Sequence, residues 1–424
     1  MSVNREDTGK KDKVVRYCDW LIGVFLILFV FWLSISITGA QTAVSFALLF
    51  WVVKMFVIKK FRLARTPLNI PIIVFLVAAA IGVITAIDFR HSLKGYMTLG
   101  WISIFFLTVN NVKDKNQFKR LVTLLFIFTT VAAAYGIWQS LTKIDFMHTA
   151  KRLHEVLPRS TGFFNHYMTF GGYLNMVFPL TFGLLLFGSS KSAFSGSRRT
   201  LPKRQLLLGL AGLLILIALV FTYTRGVWIG FLAGLVFMAI LKSKKVFFIS
   251  LVVVILIVVT LAISPHSLVS RRAVSIFNLA SIDRLSMWKS SLKIVKDYAL
   301  TGVGWEGFGK IYPEYSSPRA YWPHAHNNFL NVAVESGMLG LGIFLWLLIV
   351  ILKSGVTVFK RVEDGYLKGI SLGFLGGFVA FVVGGLTEYN FGDSEVVMLF
   401  YFLLGMVMVI PKVAEAMSNK GLSS

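Results

Sequence analysis

The sequence predicts an all-α polytopic membrane protein with about twelve transmembrane helices. Three observations carry that prediction. Hydrophobic types make up 56% of the 424 residues and mean hydropathy is +0.75, above the roughly 45–50% apolar content of a soluble domain. The excess falls into nearly uncharged runs such as 206–222 and 246–263, and a run of about 18 apolar residues can cross a hydrocarbon core about 30 Å thick. Between the runs, positive charge alternates from rich to poor segments. Such runs must be helices, because lipid offers no other partner to backbone N–H and C=O groups. The short alternating strands of a transmembrane barrel are not present.

In chain order the spans fall near 18–37, 42–58, 69–87, 95–110, 120–138, 167–188, 206–222, 227–241, 246–263, 328–352, 369–386 and 395–411. A polar, basic start precedes the first run, which reads as a retained span rather than a cleaved signal peptide. With the N-terminus inside, the inside segments hold 28 of the 43 Lys and Arg residues. Of the remainder, eight lie in one long outside segment, 264–327. Short loops set orientation and long ones count for little, so both termini are expected in the cytoplasm. The net charge of +24 is then largely a topology signal, and a nucleic-acid partner is not needed. The single cysteine, Cys18, excludes an intrachain disulfide and a cysteine metal site. The chain is expected to be one integral membrane domain, 1–424, with 264–327 as its outside loop.

That loop carries Leu285, Trp288, Leu292, Val295 and Ala299 at spacings of 3, 4, 3 and 4, an apolar helical stripe opposite Lys289, Lys293 and Lys296. Two readings stay open: a helix lying on the membrane surface, or one packed on the bundle. Gly302, Gly304, Gly307 and Gly309, then Pro313, Pro318 and Pro323, predict an irregular and partly mobile stretch.

The residues with chemical potential gather at the outside ends of the spans. Arg159 precedes the sixth span. Arg225 sits in the turn Thr222-Tyr223-Thr224-Arg225-Gly226, Arg284 begins the amphipathic helix, and His324, His326 and Asn327 precede the tenth span. Arg225 either snorkels to the interface or holds a ligand near the membrane plane. Arg159 and Arg284 either are solvated charges or join it. A His-x-His pair without a third ligand or a carboxylate cluster is weak for zinc, so no metal or other cofactor is expected. Arginine's planar fork binds phosphate oxygens through two parallel bonds. Fixed cations stabilise the charge that develops on a departing diphosphate, and a neutral histidine can take a proton from an attacking hydroxyl. These are the parts of a metal-independent transfer from a polyprenyl-diphosphate sugar. A transporter would be expected to show repeats and ionisable residues within its spans, and neither is evident.

One pattern is sharper. His326-Asn327 is followed by nine residues, Gly337, two residues and Gly340. This resembles the signature of the O-antigen ligase family. The Arg225 turn resembles that family too, as do Arg284-Leu285-Ser286-Met287-Trp288, Gly302-Val303-Gly304-Trp305-Glu306-Gly307-Phe308 and Glu388-Tyr389-Asn390-Phe391-Gly392-Asp393-Ser394, together covering roughly 155–410. The resemblance implies a twelve-helix glycosyltransferase fold of the GT-C type in a bacterial inner membrane, with the 264–327 loop in the periplasm above the active site. It implies transfer of a glycan from undecaprenyl diphosphate to a sugar hydroxyl of lipid A–core without metal or nucleotide. By the same resemblance His326 is the catalytic base or acceptor-positioning group, and Arg225, Arg284 and, more weakly, Arg159 bind the diphosphate. His324 shapes the loop. Asn327 either orients His326 or caps the tenth span. The same superfamily contains polysaccharide polymerases that use the same donor, and the sequence leaves ligase and polymerase open. A lipid-linked glycan transporter and a non-enzymatic scaffold are the remaining alternatives.

Overall fold

The computed structural model describes residues 3–61, 63–147, 151–152, 158–187, 203–248, 282–317 and 320–421. Their elements are α1 (Val3–Trp32), α2 (Ile37–Ile58), α3 (Asn69–Ile84), α4 (Phe89–Thr98), α5 (Ser103–Asn111), α6 (Lys115–Thr142), α7 (Tyr167–Phe187), α8 (Lys203–Phe221), α9 (Arg225–Lys242), α10 (Ile282–Asp297), α11 (Phe308–Tyr315), α12 (Asn328–Arg361), α13 (Gly365–Gly384) and α14 (Ser394–Gly421). Two-residue antiparallel strands at Ile144–Asp145 and Lys151–Arg152 are the sheet structure among the described residues.

Among those residues ten helical segments are long and apolar enough to cross a membrane, and α3 is a shorter apolar helix. They account for eleven of the expected spans. The ninth, 246–263, lies almost wholly outside the described residues. The protein is a multi-pass all-α membrane protein, as its composition predicts.

Packing is tightest where glycine removes side chains from crossing helices, the usual means of bringing membrane helices together. A Cβ on Gly183 of α7 would collide with the Gly369 carbonyl of α13, and one on Gly373 with Leu180 of α7. Where α6 and α7 meet the turn between α1 and α2, the hydroxyl of Tyr173 bonds to Ser34 at 2.7 Å and to Thr129 at 3.0 Å, so these buried polar groups are satisfied in the apolar interior. Ion pairs close the end of the bundle that carries the 111–115 and 361–365 connections. Asp19 accepts Lys54 and Lys113, and Asp364 accepts Lys115, all at 2.7 Å.

Two spans are interrupted. A 3₁₀ turn at Leu99–Ile102 separates α4 from α5, and α12 leaves helical geometry at Gly337, φ 65°. A chain segment docks into the second break. The Met338 N–H donates to Ala299 at 2.8 Å, Val303 N–H to Val334 at 2.9 Å and Gly304 N–H to Glu335 at 3.0 Å. Backbone polar groups freed at membrane depth are thus taken up by protein.

The same contacts correct two expectations. The glycine-rich run after α10 is packed and hydrogen-bonded, with Val303, Trp305 and Phe308 all buried. Its glycines serve close approach: Gly302 and Gly304 have φ 71° and 97°, and a Cβ on Gly304 would strike Ala86 and Ser92. The buried face of α10 is also not the predicted stripe. Met287, Ser291 and Ile294 are buried, Trp288 and Val295 only partly, whereas Leu285 and Leu292 are 43% and 60% exposed. Spacing alone could not see that Ser291 pairs with the Met287 carbonyl and is thereby accepted into the interface.

Candidate active site

The site is assembled from four connections that meet at the end of the bundle opposite Asp364. The first is the turn between α8 and α9. Tyr223 takes a left-handed backbone, φ 49°, Thr222 bonds to Leu219, and Arg225 opens α9. The second is 158–166. Its Ser160 N–H donates to Phe221 at 2.8 Å, which joins the two connections and brings Arg159 beside Arg225. Gln139, fully buried on α6, holds this segment. Its side-chain oxygen accepts from Thr161 and Gly162, and its nitrogen donates to the Gly162 carbonyl. The Arg159 guanidinium lies 4.1 Å above the ring of Tyr167, a cation–π contact.

The third is 320–327, leading into α12. The Ala325 N–H is fixed by Asn331 at 3.0 Å, and His326 has φ 46°. A non-glycine residue held in that region costs energy and commonly marks a functional position. Asn327 settles between its two expected roles. Its oxygen accepts from Phe329 and Leu330 at 2.9 and 3.0 Å and its nitrogen donates to Leu386, so it is the N-cap of α12 and a strap to α13. The fourth connection, 385–393, is tied to the third by Asn328, whose N–H donates to Gly385 at 2.7 Å and whose side chain accepts from Phe391.

In the fourth connection Glu388, within the 388–394 motif, is where α10 and the third connection meet. Arg284 donates to the Thr387 carbonyl at 3.0 Å and to Glu388 Oε1 at 3.3 Å. Glu388 Oε2 faces His326 Nδ1 at 3.6 Å, outside hydrogen-bond range, and neither of these buried atoms has another partner. Arg225 feels the charges of Arg284, Glu388 and Arg159. Gly226 permits this approach, because a Cβ there would collide with Thr387 and press on Glu388. The structure therefore brings together all six residues singled out above, with Arg284 and His326 on one carboxylate, Arg225 within its field and Arg159 near Arg225. The signal that could have found Glu388 is its position: an acidic residue at the same helix-end cluster as the arginines, in a chain with 19 Asp and Glu against 43 Lys and Arg.

His324 packs against His326, ring centroids 4.4 Å apart, and against Tyr389 at 5.2 Å. Burial, reinforced by the charge on His326, pushes its pKa down to about 4, so it is a neutral ring at neutral pH. Asp393, at the start of α14, accepts from Thr169 at 3.1 Å. Burial, then the nearby Glu395, pushes its pKa up to about 7. Among the described residues no group of three or more His, Cys, Asp or Glu side chains is arranged to hold a metal ion.

The arrangement offers a dianion or diphosphate several hydrogen-bond forks at a membrane-helix end, beside an imidazole backed by a carboxylate. No curated protein matches the chain. Residues 210–345 match the family described as O-antigen ligase. The matched segment runs from α8 into α12 and includes Arg225, Arg284, His324, His326 and Asn327, while Arg159 and Glu388 fall outside it. Members of that family act in general as glycosyltransferases on a lipid-linked glycan and a lipid acceptor. The match supports an O-antigen ligase family assignment carried by residues 210–345 of this multi-pass membrane chain.

Proposed function

We propose that the protein transfers a glycan from undecaprenyl diphosphate to a sugar hydroxyl of lipid A–core on the periplasmic face of a bacterial inner membrane. The observation that carries this reading is the grouping of Arg159, Arg225 and Arg284, with Arg284 bonded to Glu388 and His326 Nδ1 3.6 Å from the same carboxylate. The guanidinium groups hold the diphosphate and stabilise the charge it gains as its bond to the sugar breaks. With Nδ1 turned to Glu388, Nε2 of His326 is the nitrogen left to take the acceptor proton, and the carboxylate favours the imidazolium that forms. The acceptor oxygen attacks the anomeric carbon opposite the departing diphosphate, so the linkage inverts. No metal is needed, because the fixed cations supply the charge. The Lys and Arg distribution supports cytoplasmic termini, which puts this end of the bundle in the periplasm.

The test is reconstitution. Purified protein receives undecaprenyl-diphosphate-linked glycan and lipid A–core with EDTA present, beside a matched His326→Ala sample. Glycan on lipid A–core that is lost in the variant supports the reading. Longer chains left on the polyprenyl carrier would make the protein a polymerase with the same donor site, and retention of anomeric configuration would overturn the single displacement.

A further inference from the structure

A cavity of about 530 Å³ opens beside His324 and Tyr389, which line it. Its chemistry differs from that of the arginines. Trp101, Trp305, Glu306, Glu335, Tyr389 and Asp393 are in its wall. Lys310 also lines it, but that charge is already paired with Asp88, and the His91 ring is bonded to the Glu306 carbonyl at 3.1 Å. Among the described residues no arginine lines it. Glu335 is 2% exposed, and its Oε2 has no hydrogen-bond partner. A buried carboxyl oxygen left this way at a cavity wall awaits a donor. The Glu306 side chain is exposed and its backbone is left-handed, φ 57°, so it is held at the rim. Both interrupted spans contribute to this wall, Thr98, Leu99 and Trp101 from the first break and Glu335 from beside the second.

We propose that this cavity is a saccharide subsite for pyranose rings that are neutral or carry an amine, and that it disfavours rings bearing a carboxylate or phosphate. The volume lies within the range of small-molecule pockets, about 300–1,000 Å³. Aromatic walls suit the C–H faces of a sugar ring, and carboxyl oxygens accept from its hydroxyls. Asp393, titrating close to neutrality, can also donate. The exposed Glu306 carboxylate at the rim repels an anionic ring while the arginines attract one, so the two parts of the site sort a sugar diphosphate by charge. The inference rests on the reading that the arginines hold a sugar diphosphate, because that reading puts a sugar within reach of His324 and Tyr389. The ring belongs either to the donor glycan or to the acceptor, and the experiment separates them.

The full-length protein in nanodiscs would be tested by saturation-transfer NMR with three probes, methyl glucoside, methyl glucosaminide and methyl glucuronide. Farnesyl diphosphate binding would be followed in parallel by ³¹P NMR. The neutral and amino glycosides should bind about tenfold more tightly than the glucuronide, the scale of one like-charge contact near a protein surface. Glu306→Lys, at an exposed rim position that leaves the buried wall intact, should reverse the order toward the glucuronide. Equal binding of all three glycosides, or an unchanged order in Glu306→Lys, with farnesyl diphosphate still bound, would overturn the subsite and leave the arginine reading standing. Loss of farnesyl diphosphate binding as well would overturn both. Saturating the protein with bare undecaprenyl diphosphate and then with its glycan-linked form gives the source. If only the linked form abolishes the glucoside signal, the pocket takes the donor glycan; if neither does, it takes the acceptor.

Discussion

Arg284 and Glu388, 104 residues apart in the chain, meet at 3.3 Å. The pair has a consequence for binding as well as for stability. Glu388 puts a negative charge within the positive cluster, binds the Arg284 guanidinium and faces His326, so in the proposed reaction it would tune both the affinity for the diphosphate and the geometry of the base. Glu388→Ala should lower thermal stability by about 1–3 kcal/mol, the cost of leaving a buried donor unpaired, and should reduce transfer. Glu388→Gln should recover the stability but not the rate. Thermal unfolding and transfer assays on the two variants give the comparison.

Arg225 occupies a turn whose backbone is left-handed at Tyr223, which restricts where its side chain can reach. Arg225→Ala should cost roughly 10²–10³ in transfer rate, the usual loss for one preorganised donor at a developing anion. Arg225→Lys should lose nearly as much, because an ammonium cannot present two parallel bonds. A lysine variant with near wild-type rate would show that charge alone suffices.

Gly226→Ala removes no functional atom. It forces a methyl into Thr387 and Glu388, so α9 must shift away from the carboxylate. Transfer should fall as it does in Arg225→Ala, while the protein still folds, as judged by size-exclusion chromatography and circular dichroism.

Asn327→Ala and His326→Ala should separate two neighbours. The first removes the α12 cap and should cost about 1 kcal/mol of stability with most activity retained. The second should abolish transfer with little change in unfolding temperature. Equal loss of activity in both would mean that the cap also orients the base.

His324 and Asp393 act on stability in opposite directions over the same pH range. The folded-state pKa of His324 lies near 4, below its ordinary value of 6.5. Between those values the unfolded chain binds the proton and the folded protein does not, so stability falls as pH drops from 6.5 to 4. Asp393 is raised from 3.8 to about 7. Its folded form holds a proton that the unfolded chain releases, so its contribution is present at low pH and is lost as pH rises toward 7. His326, Glu388, His166 and Arg284 also act on His324. Relative to wild type, His324→Gln should gain stability on acidification and Asp393→Asn should lose less stability on going from pH 4 to 7, read as unfolding temperature against pH.

Much of the fold was legible because lipid imposes so simple a rule. Eleven of the expected spans are helices of the described structure, since a long apolar run has no other way to satisfy its backbone. The 302–309 run was read as loose because glycine and proline commonly mark turns. In the fold the same glycines admit the chain into the Gly337 break of α12. The stripe on α10 was displaced because serine, counted as polar, is buried once it bonds to its own helix. In the site, His326, Arg225 and Arg284 stood out by residue type at helix ends. Glu388, Gln139 and Gly226 did not, for their importance lies in what they touch.

The sequence by itself determined that the chain is a helical membrane protein, where its spans run, and which cations and histidines gather on one side. Apolar run length, charge asymmetry and motif spacing are local properties that the chain carries before it folds. Tertiary structure alone decided that Arg284 and His326 share the Glu388 carboxylate with Arg225 and Arg159 close by, that two broken helices meet at one cavity, and that cationic groups and a carboxyl-lined wall both come up to His324. Those outcomes depend on residues such as Arg284, His326 and Glu388 meeting across the bundle, and such distances are set by helix packing.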